Sequence, residues 1–311
     1  MMSSSEVFCR YFSNFGREVF LCYNLNMPTK LYKILLILGI AAVIAATVLF
    51  WLYWQPAKNL EVDFLDVGQG DAELIKTPAG QNILIDGGPD SSIIRRLGEN
   101  LAWWDKKIDL MILTHPHDDH VTGLIDVLKR YRVKQILYTG VVHNAPNYLS
   151  WLEQVRDRKI KMVIIDRPQT ISLANNCRLQ IIYPLNSFLD RTMNNLNNSS
   201  IVMKLVYGQS SFLFLGDTEK EVEQELITDK IDLAAEVLKV AHHGSDTSSS
   251  QDFLEAVKPE FSVIEVGKDN DFGHPSLRVI KRLERVGAKV MRTDTNGTIR
   301  IISDGRGVFL K

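Results

Sequence analysis

The sequence predicts an α/β fold, a four-layer αββα sandwich preceded by one transmembrane helix. Residues 34–54 form an apolar run without a charged side chain. Residues 60–311 then alternate short strand-like runs with helical patterns, in two β-rich halves with helices on the outside. No low-complexity linker interrupts residues 60–311. We therefore expect one folded domain over that range.

The composition of the 311-residue chain excludes several classes of protein. With 45% hydrophobic and 23% charged residues, the chain is not a disordered, collagen-like or coiled-coil protein. The formal net charge of -1 does not support a protein that coats nucleic acid with a broadly basic surface, although it is compatible with a local basic groove. The 3 cysteines form neither a disulfide framework nor a zinc-ribbon spacing.

The apolar run is the first predicted element. It is long enough to cross the hydrocarbon core of a bilayer, about 30 Å thick, and Trp51, Tyr53 and Trp54 suit the membrane–water interface at its end. A buried globular helix usually keeps a polar face. A cleaved signal peptide usually has a shorter apolar stretch, followed by small residues. We predict an uncleaved transmembrane anchor over 31–54, with a cleaved signal peptide as the alternative.

The charges beside the anchor predict its orientation. Arg17, Lys30 and Lys33 precede it, whereas Lys58 is the only cation just after it. The positive-inside rule then places residues 1–30 in the cytoplasm as a short N-terminus. The protein is accordingly expected in the cell membrane, single-pass, with its folded domain outside the cytoplasm.

The folded domain is expected to open as an antiparallel meander. Its strand-like runs are VDFLDV, AELIKT and NILIDGG, separated by glycine and proline, and DLMILT follows as a fourth strand. Apolar residues at 121, 124, 125 and 128 then predict a helix with one buried face.

The second half repeats this alternation. Thr218 and Glu221 have the spacing of a capping box at the start of a helix. A further helix is expected near 276–287. The strands of this half are predicted at 161–165, 178–183, 201–206 and 211–215.

A dense set of metal-ligand side chains follows the strand DLMILT. Residues 114–120 read THPHDDH, and imidazoles with carboxylates are common ligands of divalent metals. Alternation directs His115 and His117 to one side, and Asp119 and His120 fall on the first turn of the next helix. One segment can therefore offer two ligands to each of two metals.

Two more strand ends carry candidate ligands. Asp217 directly follows FLFLG and could bridge two metals, although a lone aspartate there is more often a turn or N-cap residue. His242 and His243 follow LKVA, and the spacing does not decide which of them ligates. Because all of these residues follow strands, we expect them to converge on one edge of the sandwich.

These motifs resemble the metallo-β-lactamase superfamily and, more specifically, the C-terminal hydrolase domain of ComEC, the competence DNA-uptake protein family. The resemblance covers about residues 60–311 and implies a metallo-β-lactamase sandwich. It also includes the segments DVGQGD at 66–71, LIDGG at 84–88, AHHGS at 241–245 and GHPS at 273–276.

The resemblance implies two divalent metal ions, Zn or Mn. Asp86 would support the histidine loop without binding metal itself, and Asp66, Gln69 and Asp71 would lie near the site on a glycine-bounded loop. The ligands of the first metal would be His115 and His117, those of the second Asp119, His120 and His243, and the bridge Asp217.

The chain departs from the superfamily in two respects. The superfamily usually supplies another histidine to the first metal, whereas residues 194–200 contain asparagine and serine without histidine. ComEC-type domains look similar there, and the gap leaves coordination positions open for water and substrate. ComEC-type proteins also carry many membrane spans. With one predicted span, this chain is not expected to form the DNA channel itself.

The resemblance implies a metal-dependent phosphodiesterase or nuclease acting on DNA or related phosphodiesters, with competence or DNA-uptake machinery as its partner. Asp119 belongs to the expected catalytic set. His242 and His274 would hold phosphate oxygens or protonate the leaving group, and Asn198 would donate a hydrogen bond to the same oxygens. The alternatives are a phosphocholine esterase, a thioester, lactone or β-lactam hydrolase of this fold and, least favoured, a non-catalytic binding module. The basic clusters at 130–134 and 156–161 are interpreted as solvated faces.

Overall fold

The computed structural model describes residues 8–14, 17–23, 28–53 and 59–311. Trp54 and Lys58, which entered the predictions for the anchor, lie outside these ranges. The chain divides into two compact units, Met1–Gln55 and Pro56–Lys311.

The N-terminal unit contains a hairpin and one long helix. Strand β1 (Phe8–Asn14) pairs antiparallel with β2 (Arg17–Tyr23), a hairpin that no sequence pattern predicts. Helix α1 (Thr29–Tyr53) begins two residues before the predicted anchor. In the part of the chain that the structure describes, α1 is the one helix long and apolar enough to cross a membrane, and none of its length is buried.

The first half of the C-terminal unit opens with the predicted meander. Strands β3, β4 and β5 pair antiparallel, and β5, β7, β9 and β10 then run parallel. The elements of this half are β3 (Leu60–Phe64), β4 (Glu73–Lys76), β5 (Asn82–Ile85), α2 (Ser92–Asn100), β6 (Lys107–Ile108), β7 (Leu110–Ile112), α3 (Asp118–Arg130), β8 (Arg132–Val133), β9 (Gln135–Tyr138), α4 (Pro146–Asp157) and β10 (Lys161–Ile164).

The second half builds the other large sheet, and its last two strands extend the first sheet. Single turns of 3₁₀ helix at Asn197–Ser199 and Ala241–Gly244 lie between strands of this half, at the predicted site. Its remaining elements are β11 (Gln169–Ser172), β12 (Cys177–Tyr183), β13 (Val202–Tyr207), β14 (Ser210–Phe214), α5 (Lys220–Thr228), β15 (Val237–Lys239), α6 (Gln251–Val257), β16 (Phe261–Ile264), α7 (Leu277–Arg285), β17 (Lys289–Arg292), α8 (Thr293–Asn296), β18 (Ile299–Ser303) and β19 (Val308–Leu310).

Two sheets and two helical layers form the predicted αββα sandwich, which is confirmed. One sheet has the order β10-β9-β7-β5-β4-β3-β18-β19, and the other β11-β12-β13-β14-β15-β16-β17. Strand β5 illustrates why the layers form. Ile83 and Ile85 pack between the sheets, whereas Leu84 packs under the first helical layer, because successive side chains of a strand point to opposite faces. Burying each such side chain stabilises the fold by about 1.5–3 kcal/mol.

The capping box predicted at the start of α5 is wrong. The N-cap is Glu219, one residue after Thr218, and no side-chain hydrogen bond caps the helix. The Thr218 hydroxyl instead donates to the carbonyl of Leu215 in the preceding turn. The Thr218 side chain therefore stabilises the turn after β14 and does not cap α5.

A close contact between glycines fixes the start of α3. A Cβ on Gly123 would lie 1.9 Å from the carbonyl oxygen of Gly87, and the Gly123 amide donates to the carbonyl of Gly88 at 3.0 Å. Only glycine allows two backbones to approach so closely. This contact holds the second turn of α3 beside the loop that carries Asp86.

Candidate metal centre

The carboxyl ends of four strands meet at one edge of the sandwich, as the sequence predicts. Asp86 follows β5, the histidine-rich segment follows β7, Asp217 follows β14, and the histidine pair follows β15. Strand β5 runs parallel to β7, and β14 runs parallel to β15, so these loops emerge at the same end of each sheet.

Four side chains, three of them buried, form a group with the geometry of a metal site. The ligand atoms of Asp119, His120, Asp217 and His243 all lie within 4.8 Å of one another. Asp217 Oδ2 lies 3.4 Å from His120 Nε2 and 3.5 Å from His243 Nε2, and Asp119 Oδ2 lies 3.2 Å from His243 Nε2.

The other two predicted ligands, His115 and His117, lie beside this group, and the ring centroid of His115 is 4.1 Å from that of His120. Nε2 of His115 is 4.0 Å from Asp217 Oδ2 and 3.0 Å from Nδ1 of His117. Asp217 thus contacts both sets of side chains. This is the position from which one carboxylate can serve two cations.

Hydrogen bonds from the fold orient two of the imidazoles. Nδ1 of His120 lies 2.8 Å from Asp86 Oδ2, and Nδ1 of His243 lies 2.9 Å from the carbonyl oxygen of Glu265. Donation from Nδ1 leaves Nε2 free to bind a metal, an arrangement common among metal-ligating histidines. Asp86 is itself held by the amide and hydroxyl of Thr114, so the supporting contact expected of it is present.

Two buried atoms at the centre have no hydrogen-bond partner within the described chain. They are Nε2 of His120 and Oδ1 of Asp217. A buried polar atom without a partner costs about 1–3 kcal/mol, and a cation bound to these atoms would remove that cost. The ligands also match the mixture of imidazole and carboxylate that Zn²⁺ and Mn²⁺ accept. The group of Asp119, His120, Asp217 and His243 therefore fits a divalent metal ion.

The electrostatics of the group favour added positive charge. Burial lowers the pKa of His243, but the carboxylates of Asp217 and Asp71 outweigh it and raise that pKa to about 10. The pKa of His120 is likewise raised despite burial, by Asp217, Asp119 and Asp86. Burial opposes ionisation of Asp217, yet the neighbouring imidazoles hold its pKa well below the usual range. The negative charge of these carboxylates therefore favours the binding of cations at the site.

The backbone separates the two adjacent histidines. His242 and His243 have φ values of 51° and 52°, in the left-handed region that non-glycine residues rarely adopt. His243 points into the ligand group and is 2% exposed, whereas the side chain of His242 is 22% exposed. Nε2 of His242 lies 4.0 Å from Asp217 Oδ2, and its ring centroid is 5.7 Å from that of His274. The two histidines therefore face different surroundings.

One asparagine position differs from the prediction. The Asn198 side chain accepts a hydrogen bond from the Glu219 amide and donates to the Glu221 carboxylate, so the structure does not bring it to the ligand group. Its neighbour Asn197 is buried, and its Nδ2 lies 3.5 Å from Nε2 of His242. The 3₁₀ turn directs successive side chains to different sides, and no pattern in the sequence predicts which side chain faces His242.

The three predicted residues of the DVGQGD loop lie at different distances from the site. Asp71 contacts Nδ1 of His243 at 3.2 Å. Gln69 instead accepts a hydrogen bond from the amide of Gly267, which holds the loop against the end of β16. Asp66 pairs with Arg96 of α2 at 2.6 Å and is not brought to the ligand group.

A buried lysine lies beneath the site and was not singled out from the sequence. Lys239, the last residue of β15, is 0% exposed. Its ammonium group contacts the Asp71 carboxylate, donates to the carbonyl of Gly216 and lies 3.9 Å from Asp217 Oδ1. Burial raises the pKa of nearby Glu265 to about 8, with the Asp71 charge adding to the effect. Lys239 is the cation that balances Asp71 within this buried set.

Removing this lysine should destabilise the fold. Breaking a buried ion pair by removing one partner typically costs about 3–5 kcal/mol, so Lys239→Met should lower the free energy of unfolding by that amount. Lys204→Met is the matched control, because Lys204 is also largely buried but pairs with a side chain of Asp232 that is 82% exposed. Urea unfolding of the metal-free chain in detergent measures both. Equal losses in the two variants would contradict the role given to Lys239.

Comparison with protein families and curated proteins identifies relatives of the chain. The family model described as the Metallo-beta-lactamase superfamily matches residues 65–267. ComE operon protein 3 of Bacillus subtilis is 31% identical over 276 residues, which is 83% of this chain and 35% of that protein. Competence protein ComA of Neisseria gonorrhoeae is 28% identical over 254 residues, 81% of this chain and 33% of that protein.

Both relatives are ComEC-type competence proteins. The chain spans about a third of their length. A solved structure supports the fold independently. The metallo-beta-lactamase fold protein YhfI from Bacillus subtilis superposes with a TM-score of 0.52 at 11% identity, covering 79% of this chain and 100% of YhfI.

Proposed function

Because this chain belongs to the metallo-β-lactamase superfamily of hydrolases, we propose that it is a phosphodiesterase that uses two divalent metal ions and acts on DNA or a related nucleic acid. One observation carries this proposal. Asp217 Oδ2 lies within 4.0 Å of imidazole nitrogens from both sets of predicted ligands, so that a single carboxylate could serve two cations. Two-metal sites are typical of enzymes that displace groups at phosphorus, and the ComEC-type relatives support a nucleic acid as the substrate.

The metal ions are assigned to the two sets of side chains beside Asp217. When bound, they would supply a nucleophile from water at neutral pH and offset charge on the phosphodiester. Zn²⁺ and Mn²⁺ both suit the imidazole and carboxylate donors. The first set is His115 and His117, and the second is Asp119, His120 and His243.

The residues at the rim would handle the substrate. His242 is partly exposed beside Asp217 and would donate a proton from Nε2 to the leaving oxygen. Glu219 orients its ring from 3.4 Å at Nδ1, and Asn197 donates a hydrogen bond to the same carboxylate at 3.0 Å. We therefore assign to Asn197 a positioning role, in place of the hydrogen bond to a phosphate oxygen expected of Asn198. His274, with its ring beside His242, would contact a phosphate oxygen.

The proposed location is the outer face of the cell membrane. Helix α1 would anchor the chain, residues 1–30 would lie in the cytoplasm, and the hydrolase would lie outside. The competence relatives make DNA-uptake machinery the proposed partner. Protease added to intact cells should digest the hydrolase domain, and full protection of that domain would overturn the orientation.

A substrate panel tests the proposed activity. The full chain in detergent, with Mn²⁺ or Zn²⁺ added, should cleave a nitrophenyl phosphodiester and single-stranded DNA, and chelation should stop both reactions. A lactone, a thioester, a phosphocholine ester and a chromogenic β-lactam are the comparison substrates. Hydrolysis of one of these, with neither phosphodiester cleaved under any metal, would replace the nuclease proposal by another hydrolase of the same fold.

A further inference from the structure

An exposed aromatic surface adjoins the candidate metal centre. The rings of Phe272 and His274, which we call the stacking pair, have centroids 5.9 Å apart and planes inclined by 18°. Phe272 is 70% exposed. The His274 ring is the one that lies beside His242. A flat, solvent-facing aromatic surface therefore begins at the rim of the proposed reaction site.

A pocket extends outward from the stacking pair. Its volume is about 660 Å³, and Phe272, His274, Leu277 and Lys220 contribute to its lining. The Leu277 side chain is 68% exposed. Lys220 lies at the start of α5, and its ammonium group donates to the carbonyl of Asp246. The pocket thus combines an aromatic face and an apolar side chain with a cation.

Leu277 also lines a second pocket, of about 320 Å³. The rest of that lining is what we call the basic ridge, four cations on one face of α7. Asp246 pairs with two of them, at 2.8 and 2.9 Å, and so offsets part of their charge. Lys281 and Arg285, in contrast, are exposed. The basic ridge consists of Arg278, Lys281, Arg282 and Arg285.

We propose that the stacking pair and the basic ridge form a binding track for single-stranded nucleic acid. A base next to the cleaved phosphate would stack on Phe272, and the sugar–phosphate backbone would follow α7 away from the metal centre. Proteins that bind single strands combine aromatic platforms with a positively charged groove in this way. A base can stack on a side chain only when it is unpaired, so the track favours a single strand over a duplex.

This inference rests on the proposed function, because the track leads to the proposed phosphodiesterase site. It adds a substrate class and the surface that selects it. A small diester without a nucleobase would not reach the track, so the two proposals can be tested separately.

The experiment measures binding and cleavage by the full chain in detergent. Fluorescence anisotropy with a labelled oligothymidylate in EDTA reports binding without cleavage, and an abasic strand of equal length keeps the phosphates but removes the bases. Hydrolysis of a nitrophenyl phosphodiester with Mn²⁺ reports the site alone. The variants are Phe272→Ala and the double variant Lys281→Ala with Arg285→Ala.

Matched controls separate the track from general surface effects. Phe309→Ala removes another exposed aromatic ring, 55% exposed on β19. Arg156→Ala with Arg158→Ala removes two exposed cations at the C-terminal end of α4. Neither control should alter binding of the oligonucleotide.

Phe272→Ala should weaken binding of the oligothymidylate roughly 5- to 100-fold, which is the range for loss of one stacked base. The dependence of that binding on salt should stay unchanged. The double variant should reduce the slope of log affinity against log salt by about 1.4, or about 0.7 for each lost phosphate contact. The abasic strand should bind wild-type chain as weakly as the oligothymidylate binds Phe272→Ala. Hydrolysis of the nitrophenyl diester should be unaffected in both variants.

If both variants bind the oligothymidylate as tightly as the wild type does, the proposed track is wrong. Hydrolysis of the nitrophenyl diester would in that case still support the proposed function. Tighter binding of duplex than of single strand would also overturn it. If no phosphodiester is cleaved under any metal, the proposed function fails. The binding measurements in EDTA would still test whether the track binds single-stranded nucleic acid.

Discussion

Replacing Asp217 with alanine should remove both proposed metal ions together and abolish turnover. Asp217 Oδ2 lies within 4.0 Å of ligand nitrogens from both sets, so its loss leaves two cations facing each other without a shared anion. Residues that only support metal ligands typically contribute about 10- to 100-fold to affinity or activity. A side chain that contacts both ligand sets should contribute more than that.

Elemental analysis of the purified chain measures this result, beside hydrolysis of the nitrophenyl diester. About two divalent ions per chain are expected in the wild type and none in Asp217→Ala. Asp157→Ala is the control, because the Asp157 side chain is 63% exposed at the end of α4. Urea unfolding shows whether the variant folds. Full metal content in folded Asp217→Ala would refute the assignment of this residue.

Replacing His242 should slow turnover by about 10²- to 10⁴-fold while leaving the metal bound. General acid catalysis is typically worth that much, and His242 lies at the rim with part of its ring exposed. His243 should behave in the opposite way. It is buried, with Nε2 toward Asp119 and Asp217 and Nδ1 held by the fold, so His243→Ala should lose metal as well as activity.

The two histidine variants act as controls for each other. Each removes one imidazole from the same turn, and metal content separates their roles. Loss of metal from His242→Ala, with retention by His243→Ala, would exchange the two assignments. Equal metal loss from both would mean that neither residue acts as a proton donor alone.

The convergence of the ligand residues could be predicted because each follows an apolar strand. The strands around β7, β14 and β15 are recognisable by their apolar runs, and loops at the carboxyl ends of neighbouring parallel strands must meet. The sandwich is predictable for a related reason. Alternating apolar residues, such as Ile83 and Ile85, bury one face of each sheet, while helices cover the other face.

Three features of the site could not be predicted in this way. Lys239 lies in a strand of three residues, which is too short for alternation to show that its side chain is buried. Which of Asn197 and Asn198 faces His242 depends on how a single 3₁₀ turn is rotated. A single turn is too short to leave a periodic pattern in the sequence. The stacking of Phe272 on His274 depends on the path of a loop. Each of these features is set by tertiary contacts instead of local pattern.

The two halves of the sandwich each supply part of the candidate metal centre. His115, His117, Asp119 and His120 come from the segment after β7, whereas Asp217 and His243 come from the sheet that contains β14 and β15. Metal ions bound by residues of both halves would therefore link the two sheets of the sandwich. Such ions bind the native state in preference to the unfolded chain, and a ligand at 100 times its dissociation constant adds about 2.7 kcal/mol to stability. The thermal resistance of this hydrolase should therefore rise with the concentration of available metal.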